Sequence, residues 1–193
     1  MAKVKWKPGN MLYPLPAVLV TCGIPPGPVN IITISWTGTI NSEPPMLSIS
    51  VRKERYSYAL IREAGEFVVN LTTQEMARAV DWCGVRSGRD YDKFRETGLT
   101  AVPPVELHTP MIAESPVNLE CKVEQVIPLG SHDMFLARIV AVHVEERYLD
   151  HTTGAFDLRQ TEPIAYLHGS YYLLGERLGR FGFSVRKKRK RKG

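Results

Sequence analysis

Two short stretches of this sequence carry residue types that could hold a phosphorylated, ring-bearing ligand. The first is Ser50-Val51-Arg52-Lys53-Glu54-Arg55-Tyr56-Ser57-Tyr58, where a strand runs directly into a helix start furnished with Arg, Ser and Tyr. Backbone N–H groups at a helix start, the positive end of the helix dipole and a nearby guanidinium together suit a phosphate monoester. The plainer reading of the same residues is a helix capped by Ser57 with Arg52 in solvent. The second stretch, Asn30-Ile31-Ile32-Thr33-Ile34-Ser35-Trp36-Thr37 before Gly38, mixes small polar and apolar groups at a strand end. It offers backbone donors and acceptors along one edge of a flat heterocycle, with Trp36 either beside that ring or in the core.

The elements that must position these residues follow from hydrophobic period. Residues 17–24 form a β-rich apolar run that stops at Pro25-Pro26-Gly27-Pro28, and residues 29–36 read as its hairpin partner. Leu47, Ile49 and Val51 alternate with Ser48 and Ser50, the period of a half-buried strand. Residues 56–64 turn helical, with Gly65 placed to stop the helix, and residues 66–71 return to strand. Thr72 and Glu75 have capping-box spacing ahead of a helix bearing Met76, Val80 and Cys83 on one face, which Gly84 would end. Strict alternation over residues 117–124 predicts a strand with its even positions in water. The apolar run over 134–144 predicts a central strand covered on both faces. Long strands, short turns and two good helices point to a mainly β fold, a closed or partly closed antiparallel barrel with peripheral helices.

Composition narrows the function classes. A chain of 193 residues with 44% hydrophobic and 23% charged residues has the profile of one globular domain large enough to hold a core unaided. No apolar run approaches the ~20 residues that span a bilayer. The basic N-terminus lacks the apolar region of a secretory signal, so a cytoplasmic location is expected. The net charge of +5 resides in one place, because Arg186 to Lys192 are seven consecutive basic residues. Without them 18 basic side chains face 20 acidic ones, so residues 1–182 are read as the domain and 183–193 as a basic, solvated tail. Nucleic acid could then be held only through that tail. Cys22, Cys83 and Cys121 are odd in number and widely spaced, which argues against a disulfide framework, and the five histidines show no metal-ligand spacing. No metal is expected. Phosphate loops, dinucleotide fingerprints and nucleophile elbows are missing from the sequence as well.

In order and spacing, Asn30-x-x-Thr-x-Ser-Trp-Thr, Ser42-Glu43-Pro44-Pro45-Met46-Leu47-Ser48-Ile49-Ser50-Val51-Arg52, Arg55-Tyr56-Ser57-Tyr58, Glu66-Phe67-Val68-Val69-Asn70-Leu71 and Cys83-Gly84-x-x-Ser87-Gly88 with Asp92-Lys93-Phe94 form one pattern. With Gly130-Ser131-His132-Asp133 and the later Tyr171-Tyr172 segment, it resembles the flavin reductase-like, FMN-binding split-barrel family, its flavoredoxin branch most of all. The resemblance runs from about residue 10 to 182. It implies an antiparallel split barrel that forms a homodimer, with FMN near the subunit interface. By position, Ser35, Trp36 and Thr37 would line the flavin ring with Asn30 nearby, and Arg52, Tyr56, Ser57 and Tyr58 would hold the phosphate and ribityl chain. Cys83, Gly84, Ser87, Asp92, Lys93 and Phe94 resemble a loop closing over the flavin. His132 resembles a histidine beside the flavin and nicotinamide, its alternative being a turn histidine between two strands. The implied chemistry is hydride transfer from NAD(P)H to FMN. The alternative is a flavoredoxin-type carrier that keeps FMN and exchanges electrons with protein partners.

Overall fold

The computed structural model describes residues 1–185, so the basic run Arg186–Lys192 lies outside the described residues. The two apolar runs on either side of the proline turn pair as expected. β1 (Leu15–Pro16) leads into β2 (Val18–Cys22), which pairs antiparallel with β3 (Asn30–Ile34) in the register Val18↔Ile34 to Cys22↔Asn30. β4 (Thr37–Asn41) pairs with β5 (Met46–Val51), the alternating strand. α1 (Tyr56–Ala64) follows and ends where Gly65 takes the left-handed conformation (φ 67°) that favours glycine. β6 (Glu66–Asn70), α2 (Ala77–Val85), α3 (Lys93–Thr97), β7 (Ala101–Val102) and β8 (Met111–Ile112) lead to the long hairpin of β9 (Val117–Pro128) and β10 (Asp133–Val144). β11 (Ile164–Leu167) and β12 (Ser170–Leu173) form a separate small sheet with β1.

Seven strands make one antiparallel sheet in the order β3-β2-β6-β9-β10-β5-β4. Its two edge strands, β3 and β4, are consecutive in sequence, so Ser35 and Trp36 carry the chain from one edge to the other and the sheet curls into a split barrel. The Ser50 N–H donates to Trp36 O at 2.9 Å and fixes that crossing against β5. Side-chain alternation explains why β2 is buried throughout. Val18 and Val20 join Ile32, Ile49, Phe67 and Phe135 inside the curl, while Leu19 joins Ile31, Val80 and Cys83 beneath α2. Cys22, Cys83 and Cys121 are free and buried.

The structure corrects three readings of the sequence. Thr72 caps no helix, because its hydroxyl bonds the Ala17 carbonyl, and α2 starts after Met76 without a side-chain cap. Gly84 does not end α2, which continues to Val85; a Cβ there would press on Thr33 at 3.3 Å, so the glycine serves helix–strand approach. Finally, β9 and β10 depart from their patterns: Asn118 and Glu120 are buried although they occupy even positions, and Val142 and Val144 of β10 are exposed.

Glu120 stays buried because a loop wraps it. Its carboxylate accepts from the N–H groups of Val105 (2.9 Å), Glu106 (3.0 Å) and Leu107 (2.7 Å), and stands 2.6 Å from His143 Nε2. On the neighbouring strand Glu66 accepts the next two N–H groups, of His108 and Thr109, each at 2.7 Å. Five consecutive amides are thus gathered by two carboxylates lying diagonally on β6 and β9. Burial pushes the Glu120 carboxyl up, yet the Val105, Leu107 and Glu106 amides and His143 outweigh it and hold the group below the ordinary carboxylate range.

Candidate functional site

Where the two sheet edges meet, the slit widens into a cleft of about 550 Å³ walled by Ser35, Trp36 and His132, with Tyr166 and Tyr171 from the small sheet. A recess of about 370 Å³ adjoins it and shares Ile32, Arg52 and Arg55 with it. Together they have the dimensions of a cofactor site.

The ring end is aromatic. The Trp36 and His132 rings lie parallel within 1°, with centroids 6.4 Å apart, and Tyr166 tilts against Trp36 at 6.4 Å. His132 belongs to the tight turn between β9 and β10, where its carbonyl accepts from the Leu129 N–H at 3.0 Å. Ser131 Oγ is 2.9 Å from His132 Nδ1. Burial and the positive charge of Arg52 hold the imidazole below its ordinary pKa of 6.5, so it is neutral at pH 7.

The recess is cationic. Arg52, Arg55, Arg86, Arg89 and Lys93 line it, against Glu54 as its single carboxylate. The start of α1 faces this region with no side-chain cap on its N-terminal turn. Ser57 is not that cap: its hydroxyl accepts from Asn30 Nδ2 at 2.8 Å, tying the helix start to the outer edge of β3. A Cβ on Gly88 would overlap the Asn30 side-chain amide, so only glycine lets the 86–89 loop lie this close. Lys93 is 4% exposed and donates to the Cys83 carbonyl at 2.7 Å. Burial pulls its amine below the usual lysine range, with Arg55 adding in the same direction. Arg89 donates to Glu54 O at 3.1 Å and lies over the Tyr56 ring at 5.6 Å.

The sequence-predicted residues therefore divide. Asn30, Ser35, Trp36, Arg52, Tyr56, Ser57, Cys83, Gly84, Ser87, Lys93 and His132 line the joined cleft and recess. Cys83 contributes its carbonyl, while its buried thiol, pushed up to about 11 by burial, packs in the core under α2. Four residues stand elsewhere. The Thr37 hydroxyl donates to Ser48 O at 2.7 Å. The Tyr58 hydroxyl donates to Asp133 Oδ2 at 2.6 Å, because one helical step past Ser57 turns the side chain toward β10. Asp92 caps α3 by accepting from the Arg95 N–H at 3.2 Å, and Phe94 packs against the core under α2. Arg55, Arg86, Arg89 and Tyr166 line the cleft without having been singled out. The arginines stood in plain view beside Tyr56 and the Ser87-Gly88 pair, whereas Tyr166 reaches the site through a strand 130 residues from Trp36 in sequence.

Comparison with known proteins bears on the whole of this arrangement. Residues 11–175 match the family model described as the flavin reductase like domain. The flavoredoxin of Desulfovibrio vulgaris (Miyazaki F) superposes with a TM-score of 0.87 at 30% identity, over 96% of this chain and 100% of its own. The flavoredoxin from Methanosarcina acetivorans does so with a TM-score of 0.86 at 31% identity, over 96% and 100%. An NADH:FMN oxidoreductase of Rhodococcus erythropolis is 26% identical over 161 residues, 83% of this chain and 76% of that protein.

Proposed function

The chain belongs to the flavin reductase-like family, and from that premise we propose that it is an FMN-dependent oxidoreductase working as an NAD(P)H:flavin reductase, as a homodimer. The observation that carries this reading is the juxtaposition of an aromatic-walled slit with a recess holding five cationic side chains and a single carboxylate. A flat ring fits the first and a phosphate monoester the second, and the uncapped start of α1 adds its dipole to the guanidinium groups.

FMN, when bound, supplies the hydride and electron chemistry that no side chain of the cleft performs. Arg52 and Arg55 would hold its phosphate, with Ser87 and the α1 amides as further donors. Lys93, fixed beneath them, contributes positive charge from below. Ser35 and the crossing backbone at Trp36 bind the ring edge. The Trp36, Tyr166 and Tyr171 side chains exclude water from it. His132, whose imidazole is held below its ordinary pKa, would meet a nicotinamide donor without adding repulsive charge.

A carrier role is the second reading, favoured by the likeness to two flavoredoxins. Every strand pairing among the described residues is antiparallel, so a nicotinamide donor would have to enter this same cleft rather than a parallel-sheet nucleotide fold. The visible spectrum of the purified protein under anaerobic conditions separates the two. Flavin absorption near ~450 nm that bleaches on adding NADH or NADPH is the result expected of a reductase. Bound flavin that stays oxidised selects the carrier, and a protein that takes up no FMN refutes both.

A further inference from the structure

Asp133 opens β10 one residue after His132, and strand alternation turns the two side chains to opposite faces of the sheet. His132 lines the cleft, while Asp133 is 3% exposed on the face that meets Tyr58 of α1. There the Tyr58 hydroxyl donates to Asp133 Oδ2 at 2.6 Å, and the Tyr58 ring packs edge-on against Phe135, two residues further along the same face of β10. Arg62, one turn along α1, donates to the Tyr58 oxygen at 3.3 Å. The other carboxylate oxygen is worse served. Asp133 Oδ1 is buried with no donor in hydrogen-bonding geometry, and the Lys53 ammonium, on a side chain 56% exposed, stands 3.4 Å from it. A buried carboxylate satisfied on one side only is a poor fastener, because desolvation of the unserved oxygen offsets much of what the Tyr58 bond contributes. What the arrangement does supply is fixed geometry. Asp133 is joined to α1 through Tyr58 and to the turn between β5 and α1 through Lys53, and the chain neighbours of that ion pair, His132 and Arg52, both line the cleft.

We propose that Asp133 is a positioning residue, which through Tyr58 holds the turn bearing His132 in place at the ring end of the cleft, an inference that rests on reading the cleft as a flavin site with a nicotinamide donor entering beside His132. The turn's own contacts give less. The Leu129 to His132 backbone bond closes the turn on itself, Ser131 belongs to the same turn, and the parallel Trp36 face, 6.4 Å away between centroids, offers no directional bond. Asp133 supplies the side-chain tie from this turn to the body of the barrel. Around His132 stand Arg52, Arg55 and Glu54 from the turn between β5 and α1, and Asp81, Tyr166 and Tyr171 also line the cleft, so a displaced imidazole reports its move through its own titration.

The test uses the full chain with Tyr58→Phe, which removes the tie without altering any charge, and with Asp133→Asn, each made also in the His132→Ala background. The His132 imidazole of Tyr58→Phe is titrated by NMR without ligand, and FMN affinity and NADH-dependent flavin reduction are measured for every variant. A loosened turn is less buried and farther from Arg52, so in Tyr58→Phe the imidazole pKa should move up towards 6.5. FMN affinity should hold, kcat/KM for NADH should fall about fivefold in both single variants, and neither substitution should slow the His132→Ala protein further. A purely structural Asp133 would lower stability and produce neither the titration shift nor the dependence on His132. An imidazole that titrates as in the wild type, or rate losses repeated in full in the His132→Ala background, overturns the assignment. A protein that fails to oxidise NADH refutes the reductase reading, while the titration still decides the positioning.

Discussion

Charge is handled in opposite ways at two places on this barrel. In the carboxylate clasp, Glu120 is 0% exposed and Glu66 7%, and every buried oxygen of theirs has a partner supplied by the chain. In the recess, cationic side chains crowd together and their contacts with acids are few: Arg52 meets Glu54 at 3.4 Å, with side chains 52% and 66% exposed. A buried charge that its own fold satisfies is a fastener. A group of like charges held near one another without internal compensation costs stability, and it persists where something from outside is to supply the opposite sign. The two regions differ in what they are complete without.

The strongest way to break this contrast is Glu120→Ala. It strands three amides and His143, and a loss of about 3–5 kcal/mol is expected, read from urea unfolding. The FMN affinity of the folded fraction should stay unchanged. Acid makes a graded version of the same experiment. Because the folded Glu120 carboxyl lies below its ordinary value of 4.5, its contribution is full above pH 4.5 and is lost as pH falls through the lower folded value. Stability measured from pH 6 down to pH 3 should therefore drop, and Glu120→Gln should flatten part of that slope.

The converse variant, Arg52→Ala with Arg55→Ala, should weaken FMN binding about 100-fold while moving stability by less than about 0.5 kcal/mol, or raising it. Equal losses in both measurements would erase the distinction. Tyr58→Phe sharpens it further, since Tyr58 stands beside the recess in sequence but bonds Asp133. A stability loss of about 1.5 kcal/mol with unchanged FMN affinity is expected. Smallest is His132→Ala, for which flavin binding is spared and hydride transfer slows about tenfold. The imidazole is held below 6.5, so the wild-type rate should be level from pH 7 to 8 and change only in more acid solution.

Much of the frame was legible because it rests on local rules. The Leu47-Ile49-Val51 alternation marks β5, and Gly65 marks the end of α1 at the residue where φ turns positive. Part of the cationic recess was legible for the same reason, because Arg52, Tyr56 and Ser57 lie in one strand-to-helix junction. What escaped depends on partners distant in sequence. Nothing in the 117–124 pattern tells that residues 105–107 will return to sequester Glu120, so the alternation reads as water-facing where it is buried. Thr72 has the spacing of a cap but finds the Ala17 carbonyl, 55 residues away, first. Tyr58 and Ser57 are neighbours in the chain and face different elements, a separation that only the helix phase against β10 decides.

The split in the barrel leaves β3 as an edge strand, with α2 and α3 covering one of its faces and the ring cleft lying along it. A row of open backbone groups on an apolar strand is a template for another chain. In this barrel the protein itself guards that row, since Asn30, Ile31, Ile32 and Ile34 are all buried. Light scattering at constant temperature should therefore stay as low in protein stripped of flavin as in protein reloaded with it, the wrapped edge being its own guardian of solubility.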